Sequence, residues 1–272
     1  MENIKFTSIM KLVNLIPILF VILQLTNCKG QENDGVTYPK EKIMTTDKFN
    51  IEKYNKIVDE KTKKGEFDIY NHTETLSNGN VLESTQGQSG TYTVIITPPI
   101  PALNKIYKDY YKNGFLKEET TLFIGLAMGS DEIKFGISKY YDTNGYLIKA
   151  VDETVKYNDI KIKPLDLLEI LKKEPIFINI SKDEKAHFKN IFQIKEKEED
   201  ITSATVSKAL KKEVFLNPND REDVKNVFLT LSRDKKTWNV IKDIYPFGKI
   251  ELNIDSNSGK IINRQYIKET RP

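Results

Sequence analysis

The chain has 272 residues, with 42 Lys and Arg against 39 Asp and Glu, a formal net charge of +3 and a mean hydropathy of −0.48. So even a balance leaves no electrostatic footprint for nucleic acid, and 30% charged residues describe a well-solvated surface. A single cysteine excludes an intramolecular disulfide and a Cys-based metal site.

Lys5 and Lys11 make the first segment positive, and an apolar run follows from Leu12 to Leu23, interrupted by Asn14 and Pro17. About a dozen apolar residues fall short of the ~20 needed to span hydrocarbon. With charge in front and polar residues behind, the run reads as a removable export signal. It meets Leu25-Thr26-Asn27-Cys28, which resembles the lipobox of bacterial lipoproteins, where the cysteine is acylated and becomes the new N-terminus. Asn27 stands where that pattern ordinarily carries Gly, Ala or Ser. The alternative is an ordinary signal peptide or an uncleaved apolar N-terminus, with Cys28 an incidental thiol. The resemblance implies a signal peptide over 1–27, lipid attachment at Cys28 and a place in the cell envelope, the outer membrane favoured. Each buried acyl CH₂ contributes about 0.8 kcal/mol, so two or three chains give near-permanent attachment. Residues 28–45 read as a flexible tether. Its start, Lys29 to Gly35, is similar to the charged segment after the cysteine of surface-exposed lipoproteins in the Bacteroidetes.

Removing a segment that carries Lys5, Lys11 and Glu2 lowers the net charge by one and leaves about 245 residues, enough for a sizeable core. They divide into 46–155 and 156–272. In the first, Phe49, Tyr54, Ile57 and Val58 follow Thr46-Asp47 at helical spacing, which predicts a short helix capped there. From Glu66 the pattern turns to strands. Phe67 to Thr73 and Val81 to Gln86 flank Ser77-Asn78-Gly79-Asn80, a strong hairpin signal. Tyr92 to Thr97 is a further strand, and Pro98-Pro99-Ile100-Pro101 a stiff connection.

Two related units come next. Tyr110-Tyr111-Lys112-Asn113-Gly114-Phe115-Leu116-Lys117 is echoed by Tyr140-Tyr141-Asp142-Thr143-Asn144-Gly145-Tyr146-Leu147-Ile148-Lys149. Asn and Gly tolerate positive φ while aromatic side chains pair across strands. The repeat resembles the MORN-variant repeats of bacterial envelope and toxin–antitoxin-associated proteins. Ile124 to Ser130, between the two units, reads as a loop.

In the second region, 164–171 reads as a helix with Pro164 in its first turn, and Leu167, Leu168 and Leu171 as its apolar stripe. Ser181 and Glu184 match a capping box ahead of Phe188, Ile191 and Phe192. Lys195 to Asp200 is a solvated charge run, and Thr202 to Lys212 a short helix. Val224 to Ser232, Thr237 to Lys242, Gly248 to Ile254 and Lys260 to Ile267 form a closing antiparallel meander. Trp238-Asn239-Val240, the strand after it, Asp255 and Gly259-Lys260-Ile261 are similar to PepSY-like envelope modules, which implies a non-catalytic binding or inhibitory role. The expected fold is α+β: an antiparallel β-meander with connecting helices, then a C-terminal helix and β-meander module.

Candidate chemistry is sparse. His72 and His187 lie in no metal-ligand spacing, and the only catalytic reading is an envelope hydrolase pairing one of them with Ser or Asp. Glu118-Glu119 and Asp152-Glu153 follow the two units at equivalent places and read as polar strand ends ahead of a cation site. Asp255-Ser256-Asn257-Ser258-Gly259 alternates oxygen ligands but has Tyr266 where a calcium loop carries its bidentate Glu. No metal or cofactor is expected. Tyr110, Tyr111, Tyr140 and Tyr141 are the densest aromatic set, and an exposed tyrosine stripe would bind a protein partner. The leading expectation is a non-enzymatic, lipid-anchored envelope lipoprotein that binds another protein. A sharper version is an immunity-type lipoprotein neutralising a toxin at the envelope, and the rival is the hydrolase.

Overall fold

The computed structural model describes residues 35–125, 132–176, 182–210, 213–244 and 248–268. The signal segment, Cys28, the first part of the tether, most of the loop between the two hairpin units and Ser181 of the capping box lie outside them. Gly35–Pro272 is one compact unit. It is α+β, built on two antiparallel sheets.

The larger sheet has eight strands: β1 (Val36–Thr37), β2 (Asn71–Thr75), β3 (Val81–Gln86), β4 (Tyr92–Thr97), β5 (Asn104–Tyr110), β6 (Leu116–Phe123), β7 (Lys134–Tyr141) and β8 (Leu147–Asp152). From β2 to β8 each strand pairs with the next, and β1 pairs outside β8. Four of the turns are built alike. In 76–80, 87–91, 111–115 and 142–146 the first residue donates its N–H to the fifth carbonyl, and the fourth, a glycine, donates to the first. Gly79, Gly90, Gly114 and Gly145 all sit at φ between +76° and +86°, the left-handed region that costs a residue with a Cβ. The turn at 87–91 escaped the sequence reading because Ser89 replaces the Asn before its glycine.

These turns correct the phase of the repeat. Tyr110 pairs with Leu116 at the mouth of one hairpin, and Tyr141 with Leu147 at the mouth of the other. The equivalent residues are therefore Tyr110 and Tyr141, Gly114 and Gly145, Phe115 and Tyr146. Tyr140 matches Asp109, so the two aromatic pairs do not correspond. The chain before the first helix straps both turns, Thr45 N donating to Gly145 O and Phe49 N to Gly114 O, each at 2.8 Å.

Helix α1 (Ile51–Lys63) lies on one face of this sheet. Its cap is Asn50, whose Oδ1 accepts from Lys53 N at 2.9 Å; Thr46 and Asp47 lie outside the helix, and Asp47 is drawn to the sheet instead. Tyr54 packs with Tyr92, Val94, Tyr110, Leu116 and Tyr141, and Phe49 stacks on Tyr92 at 4.4 Å. β2 begins at Asn71, four residues later than expected, because Phe67 stands fully in solvent.

The C-terminal part holds α2 (Pro164–Lys173), α3 (Lys182–Phe192), α4 (Ser203–Leu210), α5 (Arg221–Lys225) and a four-stranded sheet of β9 (Val227–Leu231), β10 (Thr237–Asp243), β11 (Gly248–Asp255) and β12 (Ile261–Lys268). Its two central strands, β10 and β11, alternate strictly. Trp238, Val240, Ile250, Leu252 and Ile254 are buried against Leu167, Leu171, Phe188 and Phe215. The end of β6 joins this second core through Phe123 and Ile124. Gly125 lies so close that a Cβ there would stand 2.2 Å from Val227 O. Arg221 donates to Ala102 O at 3.0 Å and to Pro98 O at 2.6 Å, which clamps the proline-rich connection. Helix α5 was missed in the sequence because five residues carry no periodicity; Asp220 caps it, accepting from Glu222 N and Asp223 N. The charge run ends in a 3₁₀ turn, Glu198–Asp200.

Candidate functional site

Between α1 and β2–β5 lies a cleft of about 290 Å³, lined among others by Tyr54, His72, Ser84, Val94, Lys108 and Tyr110. His72 and Ser84 are direct cross-strand partners, so both side chains rise on the cleft face. The polar groups at the rim are mostly paired. Lys108 bonds Asp47 and lies 3.2 Å from Glu119, which is itself 3.7 Å from Lys139. The Tyr110 hydroxyl donates to Asp47 Oδ1 at 3.1 Å. Burial opposes the Lys108 charge, but the hydrogen bonds and charges of Asp47 and Glu119 outweigh it and raise its pKa. Burial, reinforced by the charge of Asp47, lifts the Tyr110 phenol far above the ordinary range, so it stays a donor.

His72 is different. Its Nε2 is buried and has no hydrogen-bond partner among the described residues. Ser84, only 6% exposed, faces it across the ladder without a hydrogen bond to it. The nucleophile–base contact a hydrolase needs is not formed here. What the arrangement can do is offer one hydrogen bond to a water or to a small molecule in the cleft. A buried polar atom left unsatisfied costs about 1–3 kcal/mol, so His72→Leu should leave stability unchanged or raise it by about 1 kcal/mol. Urea unfolding checks this, and a loss above about 2 kcal/mol would show that the imidazole holds structure. His187 Nε2 lies 3.3 Å from the Tyr266 hydroxyl, inside an aromatic group with Phe188.

The four sequence-picked tyrosines do not form one stripe. Tyr110 and Tyr141 are 4% and 8% exposed and belong to the core beneath α1, so they present no surface. Tyr111 and Tyr140 are half-buried. The Tyr111 hydroxyl donates to Tyr141 O at 2.9 Å, and Lys149 Nζ sits 4.7 Å above the Tyr140 ring. The hairpin bulges put Tyr110 and Tyr141 on the α1 face, which alternation within one strand could not reveal.

The opposite face of the sheet carries a row the sequence reading overlooked. Thr73, Glu83, Ile95 and Tyr107 are successive cross-strand partners from β2 to β5. Val81, Ile95 and Tyr107 belong to neither core and remain half-exposed. β2 is one edge strand of the sheet. Tyr107 continues to Thr120, whose hydroxyl meets Ser138 at 2.7 Å, and Ser138 donates to Glu153 at 2.7 Å.

Three of the four paired carboxylates are taken up by lysines: Lys134 lies 3.0 Å from Glu118 and 3.8 Å from Glu153, and Lys108 lies 3.2 Å from Glu119, whereas Asp152 accepts from Thr154 N and Oγ1. Asp255 accepts from Asn257 N, Ser258 N and Ser258 Oγ, a turn that uses its own carboxylate. Among the described residues no group of three or more His, Cys, Asp or Glu is placed to hold a metal ion, and no helix is long and apolar enough to cross a membrane.

No family model matches this chain, and no curated protein matches it. The solved C-terminal domain of YpeB from Bacillus megaterium aligns over 82% of this chain and 99% of its own length, at 8% identity and a TM-score of 0.16. At that score the likeness carries no argument about fold or function.

Proposed function

We propose that the protein is a lipid-anchored envelope lipoprotein that acts by contact, binding another envelope protein through the outer face of β2–β5. The row Thr73–Glu83–Ile95–Tyr107, outside both cores and starting on the edge strand β2, carries this reading. The isoleucine and tyrosine of that row, beside Thr73 and the exposed Glu83, offer apolar contact with a polar margin, and an edge strand offers backbone groups for pairing. The MORN-like and PepSY-like resemblances support a binding role, and the first suggests the sharper version, neutralisation of a toxin at the envelope. The test is site-specific photocrosslinking in the native envelope. A crosslinker at position 95 should capture one discrete protein, and one at exposed Lys63 on α1 should not. No adduct at 95, while Cys28→Ala still releases the chain from the membrane fraction, would leave the anchor standing and remove the binding face.

A further inference from the structure

The compact unit Gly35–Pro272 opens with Gly35, whose carbonyl accepts from Asp152 N at 2.9 Å, and the next residues run along the outside of β8. Val36 and Thr37 pair with Val151 and Ala150; Ile43 O accepts from Leu147 N at 2.8 Å, and Met44 bridges to Tyr146. This edge is unusually apolar for a surface. Tyr38, Ile43, Met44, Ile148 and, one strand in, Ile137 are each 48–59% exposed, half of the large apolar side chains that stand out of the fold among the described residues. Lys40 and Lys42 are exposed among them, with Lys42 Nζ 5.5 Å above the Tyr146 ring.

We propose that this edge is a membrane-contact surface that seats the folded body on the bilayer, an inference that rests on the lipid-anchored reading. Six residues lie between Cys28 and Gly35, and the seven steps from one to the other span at most about 25 Å when fully extended. A lipid on Cys28 therefore holds Gly35, and the strip beginning beside it, close to the headgroups. Aliphatic and tyrosine side chains flanked by lysines suit that boundary: the apolar parts enter the acyl border while the ammonium groups stay among the phosphates. The strip also covers β8, which would otherwise be an open sheet edge. The orientation turns the row on β2–β5, at the far side of the sheet, away from the bilayer and toward partners.

The chain's only cysteine makes the test clean, because acylation of Cys28 leaves no free thiol. Ile43→Cys, Ile148→Cys and Glu83→Cys are each labelled with a fluorophore in the lipidated full protein, reconstituted in phosphatidylethanolamine–phosphatidylglycerol vesicles. Labels at 43 and 148 should be quenched several-fold more by a lipid-borne quencher than the label at 83, and shielded from a water-soluble one. Equal quenching at the three positions in protein that floats with the vesicles overturns the membrane-contact surface and leaves the anchor intact. Protein that does not float at all overturns the anchor, and the inference with it.

Discussion

Lys242→Met is expected to destabilise the fold by about 3–5 kcal/mol, the usual cost of stripping one partner from a buried ion pair. Lys242 and Asp223 have side chains 0% and 1% exposed and approach to 2.7 Å. The ammonium also donates to Phe215 O, and Asp223 accepts from Asn217 N at 2.9 Å. One pair thereby ties β10 to the 215–217 segment and to the first turn of α5. Without the lysine the carboxylate stays in the core without its cation. The double variant Lys242→Met with Asp223→Leu should recover most of the loss, since a well-packed apolar replacement of both charges is often neutral or better. Urea unfolding followed by fluorescence measures this conveniently, because the single tryptophan lies in the same core. Equal stability of Lys242→Met and the parent would show that the pair contributes nothing.

Trp238→Ala should cost a similar amount, about 3–5 kcal/mol, by opening a cavity in the second core. The indole is fully buried, lies 5.8 Å from the Tyr157 ring and donates from Nε1 to Ile162 O at 2.8 Å. It therefore holds the stretch leading into α2 against the small sheet. Trp238→Phe keeps most of the apolar volume but leaves that carbonyl without its donor, so a loss nearer 1–3 kcal/mol is expected. Circular dichroism in urea serves for both variants. A Phe variant as damaged as the Ala variant would mean that the hydrogen bond, and not the packing, dominates.

The two residues also mark where linear pattern stops being informative. Alternation along β10 places Trp238, Val240 and Lys242 on one side, and all three are buried. Read alone, Lys242 is the polar end of a strand; its burial depends on Asp223, nineteen positions earlier, being delivered to the same spot by α5. The tyrosines behave likewise. Asn-Gly signals placed both repeated hairpins, yet Tyr110 and Tyr141 are core because bulges at Tyr110 and Tyr141 set which face α1 covers.

The amino-acid order by itself settled what neighbours decide. Left-handed glycines located three of the turns, the residue pattern located the closing meander except that its first strand starts at Val227 and not at Val224, which α5 holds, and Pro164 opened α2, since each depends on dihedral preference or on side-chain spacing within one element. Only the tertiary structure decided which polar groups are paired and which face is open. The lone nitrogen of His72, the Lys242–Asp223 pair and the Thr73–Tyr107 row each join residues from different elements, and their energies depend on distance and burial, which folding alone creates.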